Sequence, residues 1–84
     1  MFTTESVKQQ IQQLVSEVLP DVSPEELQDN VDIFNLGLDS INAMTLVSNL
    51  QDAFDIQLDA SEISFENFQN IATIVDMIES KKGL

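Results

Sequence analysis

Val7, Ile11, Leu14, Val15, Val18 and Leu19 recur at intervals of three and four, with Gln9, Gln10, Gln12, Gln13 and Glu17 between them. That period predicts an amphipathic helix. Thr3 or Thr4 can cap its start. Pro20 ends it, because proline disfavours helical geometry in the residue before it. A second stripe follows later, through Ala43, Met44, Leu46, Val47, Leu50, Ala53 and Phe54, with Asn42, Thr45, Ser48, Asn49 and Asp52 on the opposite face and Ile41 at the margin. This helix starts at Asp39 or Ser40 and stops near Asp55, where Ile56, Gln57 and Leu58 read as an extended connector. A third stripe, Ile71, Ile74, Val75 and Ile78, is capped by Asn70 and closed by Gly83. Lys81 and Lys82 fall in its last turn, where positive charge complements the helix dipole.

The intervening stretches carry local signals. Residues 21–39 are long for a loop in so small a chain, and loops of that length are often functional. Ser23-Pro24-Glu25-Glu26 has a cap, a proline at the first helical position and acids in the first turn, which predicts one short helical turn. Leu27, Val31, Ile33, Phe34, Leu36 and Leu38 are apolar anchors for the loop. Gly37 suits a sharp bend with positive φ just before the second helix. Asp59 with Glu62, and Ser64 with Asn67 more loosely, have capping-box spacing, so one short helix is expected within residues 60–69. The pattern predicts an all-α fold, three main helices plus one short one, and no strand.

Composition narrows what such a fold can do. Its 84 residues suit one small domain, 1–84, with one core. Fifteen acids stand against three lysines, with no histidine, for a net charge of −12. That surface repels phosphate backbones and anionic lipid, so neither nucleic acid nor membrane is an expected partner. Lack of histidine removes the commonest general base. Lack of cysteine removes disulfides, thiolate zinc sites and a protein-borne thiol. There is no basic start followed by an apolar run, and no stretch of the roughly 20 apolar residues a membrane span needs. A monomeric, cytoplasmic protein is the expectation.

The candidate chemistry lies in GLDSINAM, residues 37–44. Asp39 followed by Ser40 is, at its simplest, a helix start, since aspartate is a preferred N-cap. A serine hydrolase is excluded by the lack of an activating base, because Lys8, Lys81 and Lys82 are remote in sequence. Ser40 can instead be a substrate. A hydroxyl at a helix N-terminus is exposed and firmly held, and a phosphate ester formed there meets free backbone N–H groups and the positive end of the dipole. An EF-hand fails on spacing: neither Asp52, Asp55, Asp59 and Glu62 nor Glu25, Glu26, Asp29 and Asp32 place a glycine and a terminal glutamate as that loop requires. Phe54, Phe65 and Phe68 could suggest a ligand pocket, but aromatics near helical spacing are more often core, and with Phe34 they are expected there.

NLGLDSINAMTLV, residues 35–47, resembles the acyl and peptidyl carrier proteins, in which an Asp-Ser pair after a glycine-containing turn opens an amphipathic helix. The resemblance extends over nearly the whole chain, including FENFQNIATIVDMI, residues 65–78. It implies a four-helix bundle without activity of its own. It implies a covalent 4′-phosphopantetheine on Ser40, added by a phosphopantetheinyl transferase using coenzyme A and Mg²⁺, with Asp39 assisting the transferase and its metal. The thiol of that arm holds cargo as a thioester, which supplies what a chain without cysteine lacks. An acyl- or aminoacyl-loading enzyme and downstream synthase or tailoring enzymes are the further partners implied, touching Leu38, Ile41, Met44 and Asp52.

In one respect the chain departs from fatty-acid carriers, whose helix after the serine is usually rich in acids. Here residues 1–39 carry net −7, residues 57–84 carry −3, and residues 40–56 only −2, from Asp52 and Asp55. That balance favours a specialised carrier, in polyketide or nonribosomal peptide synthesis, over one in fatty-acid or lipid synthesis. Phe34, Phe54, Phe65 and Phe68, expected to fill the core, leave little room for a long acyl chain, which favours a short acyl or aminoacyl cargo held outside the bundle. An unmodified acidic helical adaptor is the alternative of a different class.

Overall fold

A computed structural model describes residues 3–83. It contains three α-helices, α1 (Thr4–Val18), α2 (Ser40–Phe54) and α3 (Ile71–Lys82), and one 3-10 turn, Pro24–Glu26. There is no strand among the described residues. No described helix is long and apolar enough to cross a membrane.

Each helix begins where its sequence supplies a cap. Thr3 accepts the N–H of Ser6 and Ser6 returns the bond to the N–H of Thr3, a reciprocal box that satisfies two donors a helix start leaves free. Asn70 and Thr73 do the same for α3. Ser23 and Glu26 do so for the 3-10 turn. The C-termini follow the same logic. α1 stops one residue before Leu19-Pro20, α3 ends on Gly83 at φ 74°, and α2 ends on Asp55 at φ 54°. Asp is among the few residues other than glycine that accept this left-handed geometry. Lys82 reaches from α3 to donate to the Phe54 carbonyl at 2.9 Å, satisfying a backbone group at the end of α2.

α1 is the element on which α2 and α3 both pack. Val7, Ile11, Val15 and Val18 point inward from it, against Leu46, Val47, Leu50 and Phe54 of α2 and Ile71, Ile74, Val75, Met77 and Ile78 of α3. No polar or charged residue is buried among the described residues. The long connection before α2 is built into the core. Leu27, Ile33 and Leu38 are buried. Gln12 donates to the Leu27 carbonyl at 2.7 Å, and the N–H groups of Ile33 and Ala72 bond to the carbonyls of Gln69 and Asp29. The loop is thereby sewn to α1 and to the start of α3, which fixes where α2 begins.

Between α2 and α3 the expected short helix takes another form. Each capping pair makes one of its two bonds, the Asp59 N–H on Glu62 Oε1 at 2.8 Å and the Asn67 N–H on Ser64 Oγ at 3.2 Å. Each opens only a turn, and residues 60–70 run as consecutive turns and bends. A helix nucleus is costly, and segments this short rely on tertiary packing to propagate. Here only Leu58 and Phe68 are buried, at the two ends of the stretch.

Candidate functional site

The approach to α2 is a tight backbone turn. Asp32 accepts the N–H of Phe34 at 2.9 Å, the Leu36 N–H and the Leu38 N–H both bond to the Ile33 carbonyl, and the Gly37 N–H bonds to the Phe34 carbonyl. Gly37 sits at φ 116°, a conformation that only glycine adopts without strain. The turn buries Leu38, at 4% exposure, and leaves Asp39 and Ser40 exposed. The carboxylate of Asp39 accepts the N–H of Asn42 at 2.8 Å, and its carbonyl accepts the N–H of Ala43. Ser40 is therefore the first residue of a capped helix, rigid in backbone and open to solvent.

Leu38 is the one proposed partner contact that this geometry removes. It faces the core because two turn hydrogen bonds to the Ile33 carbonyl fold it under the start of α2. Its role is the other one expected of it, an anchor for the loop. Ile41 and Met44 flank Ser40 at 77% and 56% exposure. Asp52 is exposed on the same helix, but twelve residues on, about 18 Å along the axis from Ser40. The structure thus gathers Asp39, Ser40, Ile41 and Met44 and leaves Asp52 apart.

Beside Ser40 lies an open apolar pocket of about 280 Å³, between α2 and the turns of residues 60–70. Ala43, Met44 and Val47 form its floor, Phe34 comes from the preceding loop, and Ile63, Phe65 and Phe68 form the opposite wall. Phe65 was expected in the core and is not. It is 56% exposed, with its ring centroid 4.8 Å from that of Phe34. The turns direct Phe68 inward, at 3% exposure, and leave Phe65 to pair at the surface. Ile63, which the sequence did not single out, is half-buried on the same wall. The only sequence signal for this wall is the pair of capping spacings that set its turns.

The chemistry available is that of an unassisted hydroxyl. Among the described residues no side chain is hydrogen-bonded to Ser40, and no three acidic residues gather into a metal site. The lysines are engaged elsewhere: Lys8 with Asp29 at 2.9 Å, Lys81 with Glu62 at 3.0 Å, and Lys82 with the Phe54 carbonyl. No described side chain is placed to activate this hydroxyl as a nucleophile. Space and polarity fit a phosphodiester-linked arm. The hydroxyl is exposed, and the first turn of a helix offers N–H groups without intrahelical partners.

Similarity to known proteins extends over this region. The family described as "Phosphopantetheine attachment site" matches residues 9–78. An "Acyl carrier protein" of Prochlorococcus marinus (strain MIT 9515) is 39% identical over 85 residues, covering 98% of this chain and 100% of that relative. A "D-alanyl carrier protein" of Lactobacillus acidophilus (strain ATCC 700396 / NCK56 / N2 / NCFM) is 36% identical over 69 residues, covering 79% of this chain and 87% of the relative. Similarity of that extent, on a helical scaffold that presents a serine without a base, places the chain in the acyl and peptidyl carrier family, whose members are not themselves enzymes and work through a covalently attached 4′-phosphopantetheine.

Proposed function

We propose that Ser40 bears the phosphopantetheine arm and that the chain presents a short acyl or aminoacyl thioester to the enzymes of a specialised pathway, of the polyketide or nonribosomal peptide kind. The observation that carries the attachment is the exposed position of Ser40 as first residue of α2, directly after the N-cap Asp39 and inside the matched region. The arm supplies the thiol that this chain lacks. The chain's own residues do the rest. Gly37 and Asp39 fix the backbone, the α2 dipole favours a phosphate at its N-terminus, and the apolar pocket receives the first carbons of a cargo. Residues 59–68 then stand in the place of the short fourth helix of a four-helix bundle. Ile41 and Met44 are apolar contacts for the transferase and for loading and synthase enzymes, with Asp52 a peripheral one.

Three observations support this reading of cargo and pathway. The pocket is shallow and open, and the outer face of α2 carries Asn42, Thr45, Ser48 and Asn49 where an acid-rich docking face would otherwise lie. The D-alanyl carrier relative is named for an aminoacyl group. A carrier for fatty-acid synthesis is the second reading, favoured by the full-length similarity to an acyl carrier protein.

Incubation with a phosphopantetheinyl transferase, coenzyme A and Mg²⁺ tests the attachment by intact mass. One phosphopantetheine should add to wild type and none to Ser40→Ala. Ser48 on the same helix and Ser64 across the pocket are internal controls, and modification of either in Ser40→Ala would overturn the assignment. Offering the holo chain, with its thiol free, to an adenylating enzyme and to a fatty-acid acyltransferase separates the two pathway readings. Exclusive use by the acyltransferase would favour the second.

A further inference from the structure

Residues 59–68 stand between two open spaces. On one side is the pocket beside Ser40. On the other is a cleft of about 360 Å³ against α3, where Glu62 and Asn67 face Thr73, Asp76 and Met77. The wall is therefore not packed flush against either helix along its length. Leu58 and Phe68 anchor its ends in the core, at 8% and 3% exposure. The Leu58 N–H is also held by Gln51 of α2 at 2.9 Å. Between those ends the chain lacks regular helix.

Glu62 joins the parts of this wall. One carboxylate oxygen, Oε1, accepts the Asp59 N–H at 2.8 Å and closes the first turn. The Glu62 carbonyl accepts Asn67 Nδ2 at 2.9 Å and ties the second turn to the first. The same Oε1 accepts Lys81 Nζ of α3 at 3.0 Å, across the cleft. The two side chains are 26% and 27% exposed, so the pair is only partly shielded from water. The residues that follow Glu62 directly, Ile63 to Phe65, are those that face Ser40.

We propose that Glu62 and Lys81 are positioning residues that set the width of the pocket beside Ser40, by mooring its outer wall to α3. The inference rests on the reading that cargo carried at Ser40 uses this pocket. A tether of this kind is weak by nature, because a pair in contact with water gains little over its solvated state. Weakness suits the place. The wall has free space behind it, and a bond worth a small factor can bias its position without locking it.

Hydrogen exchange on the full-length, unmodified chain tests the mooring apart from any modification. Lys81→Gln should speed exchange at the amides of Glu62, Ile63 and Phe68 by about two- to fivefold, the range expected of a partly exposed ion pair. The amides of Ile11 and Val15 in α1 should not change. Lys81→Arg should restore the wild-type rates. Unchanged exchange in the wall, or an equal acceleration in α1, would overturn the proposal. A separate arm tests the reading beneath it. The holo chain is loaded with a hexanoyl thioester, and the methyl resonances of Met44 and Ile63 are followed. They should shift in wild type and shift differently in Lys81→Gln. Methyls that ignore the acyl group in wild type would refute the use of the pocket by cargo, whatever the exchange shows.

Discussion

Asp39 caps α2 and, on the proposed reading, also assists the transferase, and substitution can separate the two. Its backbone is extended, at φ −126° and ψ −176°, so the residue stands outside the helix while its carboxylate accepts the Asn42 N–H at 2.8 Å. Asp39→Ala leaves that donor to water. Loss of an N-cap typically costs about 0.5–2 kcal/mol. The lower half of that range is expected here, because the first buried residue of α2 is Leu46. The turn through Ile41 and Ala43 can fray without exposing the core. A loss of about 0.5–1 kcal/mol corresponds to about 2–8 °C in melting temperature for a domain of this size. Asp39→Asn keeps an acceptor of nearly equal capping rank. It forfeits a charge–dipole interaction of about 0.3–1 kcal/mol, and in a chain of net charge −12 it also relieves repulsion. Its net cost should stay under about 0.5 kcal/mol. Modification should divide the variants differently, because a negative charge beside the hydroxyl attracts the metal of a transferase and an amide does not. Urea unfolding and a mass-resolved time course of phosphopantetheine addition read the two effects. The expected result is Asn near wild type in stability but slowed in modification, and Ala impaired in both. An Asn variant as unstable as Ala, or modified at the wild-type rate, would refute the separation.

Leu50 is fully buried at the centre of α2, so Leu50→Ala should cost about 2–5 kcal/mol; an unchanged urea midpoint would contradict the packing. The Asp59 N–H and then the Lys81 ammonium hold the Glu62 carboxyl below its ordinary value of 4.5, against the opposing effect of burial. A lowered folded-state value means the stabilisation is present above the unfolded value and is lost as pH falls through the folded one. Thermal melts should therefore show a flatter acid limb in Glu62→Gln than in wild type, with no difference in slope between pH 6 and 8. Ile41→Ala should slow loading more than Asp52→Asn, with little salt dependence, because Ile41 is 77% exposed beside Ser40 and Asp52 lies at the far part of the helix; loading rates at low and moderate salt measure this.

What could be read from the sequence was whatever is decided within four residues. The caps at Thr3, Ser23, Asp39 and Asn70, the stops at Pro20 and Gly83 and the buried stripes of α1, α2 and α3 all rest on local spacing, and all are found in the structure. What escaped was decided at longer range. Leu38 lies in a signature where an apolar residue could face partner or core, and the turn anchored on the Ile33 carbonyl settles the matter. Met44 belongs to the apolar stripe by period, yet is 56% exposed because α1 covers only the Leu46, Val47 and Leu50 side of α2. Phe34 and Phe65 are 31 positions apart, and nothing local says that their rings meet. The spacings at Asp59 and Ser64 each formed half of a capping box and were misleading as helices, because no apolar stripe of sufficient length follows them.

The distribution of charge bears on how such a site must be served. The three lysines are spent on Asp29, Glu62 and the Phe54 carbonyl, the last at the opposite end of α2 from Ser40. A 15-residue helix separates that end from Ser40 by about 21 Å, well beyond the Debye length of about 8–10 Å at physiological salt. Asp39 adds a negative charge directly beside the hydroxyl. At the Ser40 end of α2 the described residues offer an incoming phosphate the dipole and backbone N–H groups of the helix, which are fixed partial charges of about half a unit. The remaining neutralisation must arrive with the partner, as basic side chains or a metal ion. On the attachment proposed at Ser40, such a site stays unreactive on its own and is modified only in a complex that brings the missing charge.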